Sequence, residues 1–245
     1  MRAVLAAPPP TLLVVAKEPV PGRVKTRLTP PYTPEQAAAL AEAALADTLR
    51  TLSAVPAGRR ILVLDGSPGR WLPPGWEVVP QPAGGLDVRL AAAFAGASAG
   101  GTSAPALLVG MDTPQIAART LAEPLSAARR QGVDAWYGPA ADGGFWALGL
   151  ARPTPETAAR LLVGLPMSTP HTGAALEERL ARAGLVVGRL PVLRDVDTAE
   201  DAARVAALAP AGRFAARWRE LGDAGAAAAG TTAAAAGTQA EAAGR

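Results

Sequence analysis

The chain has 245 residues, a formal net charge of +3 and 49% hydrophobic residues, enough for one large domain or two small ones with a full apolar core. The small net charge and the lack of a long basic run argue against nucleic acid as a partner. The absence of cysteine excludes disulfides and thiolate metal sites, and no apolar run is long enough to span a membrane. We therefore expect a soluble, cytoplasmic protein.

Strand-like and helix-like segments alternate along most of the chain. We predict a disordered leader at 1–10, a single domain at 11–221, and a disordered tail rich in Ala and Gly at 222–245. In chain order the predicted elements are a strand at 12–16, a helix after Thr33 that ends by Pro56, strands at 61–64 and 76–79, a helix at 86–99, a strand at 105–109, a helix at 115–130, strands at 135–137 and 145–150, a helix at 153–163, a helix after Thr172, a strand at 185–190, and helices from Thr198 to 208 and around 214–221.

This alternation predicts an α/β protein with a three-layer α/β/α sandwich and a mainly parallel, mixed sheet. The segment at 145–150 is expected to be an antiparallel or bent strand. Four threonines are predicted to cap helices, two of them in capping boxes with Gln36 and Asp201. The four predicted caps are Thr33, Thr113, Thr172 and Thr198.

The loop after the first strand holds both lysines of the chain, Lys17 and Lys25, whereas arginine occurs 22 times. Ligands of open α/β sheets bind at the carboxyl ends of the strands, where this loop begins. Two lysines in one loop suggest a site that requires a compact ammonium group. The hypothesis is a phosphate-binding loop, and the alternative is a pair of solvated lysines on the surface.

Acidic residues follow several of the other predicted strands. Asp112 follows the fourth strand, Asp142 precedes two glycines, and Asp195 and Asp197 follow the last strand. Loops that leave one edge of a parallel sheet converge, so these side chains are expected to lie together. Carboxylates opposite basic groups are typical of a Mg²⁺–polyphosphate site. Each acid also has an ordinary interpretation, as a helix N-terminal acid or as a turn residue.

Two further residues are candidates on weaker grounds. Arg89 lies near a helix start, where its charge opposes the helix dipole, and this mismatch suggests an anionic partner. His171, the single histidine, lies in a polar loop and is more commonly a hydrogen-bonding loop residue than a ligand or a base.

Taken together, these motifs resemble the DUF2064 family of the nucleotide-diphospho-sugar transferase (GT-A) superfamily. The motifs that carry the resemblance are Ala16-Lys17-x-Pro-x-Pro-Gly22-x-Val-Lys25-Thr26-Arg27-Leu28, Gly110-x-Asp112-x-Pro114, Asp142-Gly143-Gly144-Phe145 and Asp195-Val-Asp197-Thr198-x-Glu-Asp201. The first of them is specific, and in order they span about residues 11–208. They are also similar, more loosely, to 2-phospho-L-lactate guanylyltransferases, which carry a related Lys-(Ser/Thr)-Arg-Leu loop.

The resemblance implies a GT-A fold, a divalent cation (Mg²⁺ or Mn²⁺) and a nucleotide bound over the first loop. The implied nucleotide-binding residues are Ala16, Lys17, Gly22, Lys25, Arg27 and Arg89. The implied metal ligands are Asp112 with Asp197 or Asp195, and Lys25, Asp112 and Asp197 are the catalytic candidates. Asp142, Gly143, Gly144 and His171 are the candidates that face the sugar or the acceptor.

Three hypotheses follow for the activity. The first is a metal-dependent, glycosyltransferase-like enzyme that passes a sugar from a nucleoside diphospho-sugar to a small acceptor. The second is a nucleotidyltransferase that joins an NTP to a phosphorylated small molecule and releases pyrophosphate, with Lys25 and Arg27 at the transition state. The third is a GT-A domain that binds a nucleotide or a partner without turnover. Asp112 stands in Met-Asp-Thr rather than in an Asp-x-Asp motif, which weakens the first and leaves the second open.

Overall fold

The structure is a computed structural model that describes residues 8–99 and 104–222. The predictions of a disordered leader and a disordered tail fall mainly on residues 1–7 and 223–245, which lie outside the described residues. Among the described residues, no helix is both long enough and apolar enough to span a membrane.

Within the described residues, seven strands form one sheet in the order β3-β2-β1-β4-β6-β5-β7. They are β1 (Thr11–Lys17), β2 (Arg59–Asp65), β3 (Glu77–Pro80), β4 (Ala106–Gly110), β5 (Ala135–Pro139), β6 (Phe145–Leu150) and β7 (Val187–Arg189). Strand β1 pairs in parallel with β2 and β4, whereas β6 pairs antiparallel with both β4 and β5. The predicted mixed α/β sheet and the antiparallel strand at 145–150 are thus confirmed.

Helices cover both faces of this sheet. They are α1 (Pro34–Ser53), α2 (Leu86–Ala97), α3 (Ala118–Gln131), α4 (Pro155–Leu162), α5 (Thr172–Arg182), α6 (Ala199–Leu208) and α7 (213–222). A short 3₁₀ turn, Thr26–Leu28, interrupts the loop after β1. Alternate residues of β1 enter different cores, because successive strand side chains point to opposite faces: Leu12 packs with α1, and Leu13 packs with α2 and α4.

A third core lies beside the sheet and joins both ends of the domain. Leu28 of the 3₁₀ turn packs there with Leu40 of α1, Val196 of the loop after β7, and Phe214 of α7. Leu28, Leu40 and Phe214 are at most 2% exposed. Because Leu28 follows Arg27 and Val196 precedes Asp197, this core holds two loops that carry site residues.

Two of the predicted helix caps are confirmed, and two are wrong. Thr33 and Thr198 form the predicted capping boxes. Thr113 caps no helix, because its carbonyl accepts from Ile116 N in a turn and α3 begins only at Ala118. Thr172 is the first residue of α5 rather than its cap, and its hydroxyl instead donates to the carbonyl of Pro166.

Candidate active site

The carboxyl ends of β1 and β4 are adjacent, and the chain leaves them in opposite directions across the sheet. This is the topological switch point at which open α/β sheets bind ligands. A cleft of about 660 Å³ opens there. Many of the residues predicted from sequence line it, namely Ala16, Lys17, Arg27, Arg89, Asp112, Asp142, Gly144, Asp195 and Asp197.

Lys25 lies behind the wall of this cleft rather than in its lining. Its side chain is 9% exposed, and its ammonium is 2.9 Å from Asp112 Oδ2 and 3.0 Å from Asp197 Oδ1. Burial opposes the charged form, but the two carboxylates outweigh it and raise the pKa of Lys25. The backbone of Lys25 adopts a left-handed conformation (φ 49°), which is uncommon outside glycine and is found where surrounding structure enforces it.

Asp197 is fully engaged by cations. One carboxylate oxygen contacts Lys25, and the other is 3.4 Å from Arg27 Nη1. The Arg27 side chain is 73% exposed and reaches this acid from the rim of the cleft. Asp197 is therefore held between two basic groups of the loop after β1, as the convergence of the sequence motifs predicted.

Asp112 and Asp195 each retain one buried oxygen, Oδ1, that makes no hydrogen bond within the described residues. Burial, followed by the charges of Asp112 and Asp142, raises the pKa of Asp195 to about 7. The cluster thus concentrates more negative charge than Lys25 and Arg27 balance. The backbone N–H of Val196 donates to the carbonyl of Asp112, which fixes the β7 loop against the end of β4.

These two oxygens are the features of the site that fit a divalent metal. Among the described residues, no group of three or more His, Cys, Asp or Glu side chains is arranged to hold one. Mg²⁺, however, commonly takes only one or two carboxylates from the protein and completes its shell with phosphate oxygens and water. The donor set fits such a cation through Asp112 and Asp195, while Asp197 is occupied by its ion pairs.

The β1–α2 side of the cleft carries its basic groups. Lys17 is the last residue of β1 and is exposed. Arg89 of α2 donates to Asp65 Oδ2 and to Gln81 Oε1, at 3.3 and 3.1 Å. The Gln81 amide in turn donates to the carbonyl of Ala16 at 2.7 Å. This network fixes the base of the cleft between β1 and α2.

The opposite side of the cleft is formed by the β5–β6 turn and by the loop at 166–172. Asp142 Oδ1 accepts from Gly144 N, and Gly143 O accepts from Gly173 N at 2.8 Å. The two segments are in such close contact that a Cβ on Gly143 would lie 2.1 Å from Pro170 O. The β5–β6 turn and the loop at 166–172 therefore support each other and form one continuous surface.

Three of the predicted residues besides Lys25 do not line the cleft: Gly22, Gly143 and His171. Gly22 provides a positive φ of 74° in the first loop, and His171 precedes α5. Sequence reasoning also assigned no role to several residues of the lining, chiefly Gln81, Met111, Phe145, Trp146 and Met167. Phe145 ends the Asp-Gly-Gly-Phe motif but was not predicted to face the site, and no motif residue marked the other four positions. Only Gln81, a polar residue directly after a predicted strand, carried a signal that could have been used.

Comparison with known proteins identifies the class to which this fold and cleft belong. At 28% identity, the chain is similar to a proposed nucleotide-diphospho-sugar transferase from Desulfovibrio desulfuricans G20, with a TM-score of 0.67 over 77% of this chain and 82% of that one. The fold is thus the α/β fold of nucleotide-diphospho-sugar transferases, as expected. The chain belongs to the DUF2064 family, described as an uncharacterized protein conserved in bacteria, whose model matches residues 37–169.

Two more distant structures share the fold and are nucleotidyltransferases. One is CMP:2-keto-3-deoxy-manno-octonic acid synthetase in complex with CTP, at 13% identity and a TM-score of 0.50 over 82% of this chain and 98% of that one. The other is 2-C-methyl-D-erythritol 4-phosphate cytidylyltransferase from Thermus thermophilus, at 16% identity and a TM-score of 0.50 over 83% and 99%. A comparison with curated proteins found no match.

Proposed function

We propose that this protein is a metal-dependent transferase that uses a nucleoside diphospho-sugar and passes the sugar to a small acceptor. The observation that carries the proposal is that Asp112 and Asp195, two residues of the cleft lining, each keep one buried carboxylate oxygen without a hydrogen-bond partner in the described residues. The relative from D. desulfuricans, a proposed nucleotide-diphospho-sugar transferase with the same fold, supports the choice of donor.

In this proposal the metal supplies charge neutralisation on the leaving nucleoside diphosphate. Asp112 and Asp195 would hold it through their free oxygens. Lys25 would orient Asp112 and Asp197 from behind, since two donors of its ammonium contact these acids. Lys17 and Arg27 are the cations left to bind phosphate at the rim, with Arg89 and Gln81 next to them. Lys25 would thus be a positioning residue and not the phosphate ligand that the sequence motif suggested.

The second candidate is a nucleotidyltransferase that releases pyrophosphate from an NTP. It is favoured by the position of Lys17 and Arg27, two cations on the β1 side of the same cleft, which suit a triphosphate. Its weak point is Lys25, which would have to leave two carboxylates in order to contact a transition state.

A thermal-shift panel of NTPs, NDPs and NDP-sugars, with and without Mn²⁺ or Mg²⁺, tests the proposal. We expect a metal-dependent rise in Tm that is largest for NDP-sugars. In Asp112→Asn the metal dependence should be lost. Asp134→Asn changes an acid that pairs with Arg152 and does not line the cleft, and its metal dependence should match that of the parent. A larger metal-dependent rise with NTP would favour the second candidate. No metal-dependent nucleotide effect at all would contradict both.

A further inference from the structure

The charges that line the cleft are divided between its two sides. None of the three lining cations belongs to the β5–β6 turn or to the loop at 166–172. Lys17 ends β1, Arg89 extends from α2, and Arg27 lies in the loop after β1, where it pairs with Asp197. On the other side, formed by the β5–β6 turn and the loop at 166–172, Asp142 is the only charged residue of the described lining. Asp112, Asp195 and Asp197 lie between the two sides.

We infer that the second substrate is a neutral or amine-bearing hydroxyl compound, carrying neither phosphate nor carboxylate, bound against Asp142, Phe145 and the loop at 166–172. This inference rests on the proposed function, whose acceptor it defines. It follows from the chemistry of the second side, which offers a carboxylate, hydroxyl groups and apolar surface but no cation in its described lining.

An anionic acceptor would meet unfavourable electrostatics at this surface. Asp142 lines the same cleft as Asp112 and Asp195, so an anion bound beside Asp142 would face several carboxylates. Like charges repel each other more strongly at a protein surface than in bulk water, because the effective dielectric constant is lower there. A phosphorylated acceptor would bear this repulsion without an arginine or lysine of the lining to offset it, whereas an amine would be attracted.

The loop at 166–172 supplies hydroxyl groups suited to a polyol. Ser168 is exposed at the rim with a left-handed backbone (φ 58°), a conformation uncommon for serine and frequent at functional sites. Contacts elsewhere in this loop hold the conformation: Thr169 N donates to Thr172 Oγ1, and Thr172 Oγ1 donates to Pro166 O. The Ser168 hydroxyl thus belongs to a loop whose conformation is held by internal hydrogen bonds.

Apolar side chains complete this side of the cleft. Phe145 begins β6 and is partly buried, and Met167 precedes Ser168 in the loop at 166–172. Both pack against the core that α2 and α4 form on one face of the sheet. An apolar wall with a small number of polar groups is the usual arrangement of small-molecule sites. Such a wall suits the C–H face of a sugar ring or of an alkyl alcohol, with its hydroxyl or amino groups directed to Asp142 and Ser168.

A charge series on a single ring tests this inference in the full-length protein without nucleotide. The probes are glucosamine with its amine protonated, glucose, and glucose 6-phosphate. Binding is followed by two-dimensional NMR at the amides of Gly144 and Ser168. Both belong to the acceptor side, which is the side formed by the β5–β6 turn and the loop at 166–172. We expect affinity at these amides to fall in that order, by about tenfold or more from the cationic to the anionic probe.

Matched variants identify the charge responsible. Asp142→Asn keeps an oxygen for the Gly144 N–H and should reduce the difference between the cationic and anionic probes about threefold or more. Glu178→Gln removes an exposed acid of α5 that pairs with Arg182, and should leave the order and its size unchanged.

Two results would overturn the inference: glucose 6-phosphate binding at the Gly144 and Ser168 amides as tightly as glucose or more so, or glucosamine producing no saturable shift there. Because the nucleotide panel reads the other side of the cleft, the two proposals can fail independently. A metal-dependent nucleotide response with a reversed charge order would refute only the inference. The expected charge order without a nucleotide response would refute only the proposed function.

Discussion

At the scale of single residues, Lys25 shows why the chain uses lysine where it otherwise uses arginine. Its side chain is 9% exposed, and two of the three donors of its ammonium reach Asp112 and Asp197. A point-like ammonium fits between two carboxylates that approach from different strands, whereas a planar guanidinium matches one carboxylate side-on. The unusual lysine usage thus coincides with a buried position at which the ammonium pairs with two acids.

Asp195 gives the clearest prediction at this scale. Burial and the neighbouring acids raise its pKa to about 7. Between the ordinary carboxyl pKa and about pH 7, the folded protein therefore keeps a proton on Asp195 that the unfolded chain has already released. The contribution of Asp195 to the free energy of unfolding is therefore fully present below the ordinary carboxyl pKa, and it falls as the pH rises towards about 7. We expect Asp195→Asn, without divalent metal, to raise Tm at pH 8 by a few degrees, since 1 kcal/mol corresponds to about 2–4 °C at this size.

The measurement is Tm against pH in the presence of a chelator. The variant should also show a flatter profile than the parent between about pH 4 and pH 7, because a titrating group is gone. Glu178→Gln, an exposed acid, serves as the control and should follow the parent. A lower Tm for Asp195→Asn at pH 8, or an unchanged slope, would contradict the placement of this acid in a crowded anionic cluster.

At the scale of elements, the contact between the β5–β6 turn and the loop at 166–172 determines one side of the cleft. Gly143 combines a φ of 89° with a position where a Cβ would lie 2.1 Å from Pro170 O. We expect Gly143→Ala to separate the two segments, to destabilise the fold by about 1–3 kcal/mol, and to weaken binding on the acceptor side. The measurements are chemical denaturation and the amide shifts of Gly144 and Ser168.

Gly164→Ala is the matched control for this prediction. Gly164 also has a positive φ of 70°, but the atom nearest to a Cβ at this position would be Arg179 Nη2, at 3.9 Å. Gly164→Ala should destabilise the fold only by the strain of a left-handed backbone, about 1–2 kcal/mol, and should leave binding on the acceptor side unchanged. Equal effects of the two substitutions would mean that the contact with Pro170 is unimportant.

At the scale of the whole molecule, the third core links the ends of the domain to the site. Leu28 and Val196 lie in it, next in sequence to Arg27 and Asp197. Leu40→Ala in this core and Leu161→Ala in the α2–α4 core both truncate a leucine that is 0% exposed. Each should cost about 2–5 kcal/mol of stability. Only Leu40→Ala should also weaken metal-dependent nucleotide binding, because it loosens the loops that carry Arg27 and Asp197.

This comparison is made by denaturation and by the nucleotide thermal-shift panel, at a temperature at which both variants are folded. The expected outcome is similar stability losses with different binding losses. If the two leucine variants bind nucleotide equally well, the third core supports the fold but does not position the site.

The sequence determined the succession of elements, because hydrophobic periodicity and capping boxes are local. The boxes at Thr33 and Thr198 were readable for this reason. Thr113 and Thr172 failed as caps because the exact start of a helix depends on how the loop before it turns: the Thr113 carbonyl accepts from Ile116 N, and the Thr172 hydroxyl donates to the Pro166 carbonyl. The sequence also determined that the acids and lysines gather at one sheet edge, since parallel strands end together. Only the tertiary structure decided which groups pair. The burial of Lys25 behind Asp112 and Asp197, the free oxygens of Asp112 and Asp195, and the separation of charge across the cleft depend on distances between segments up to 172 positions apart.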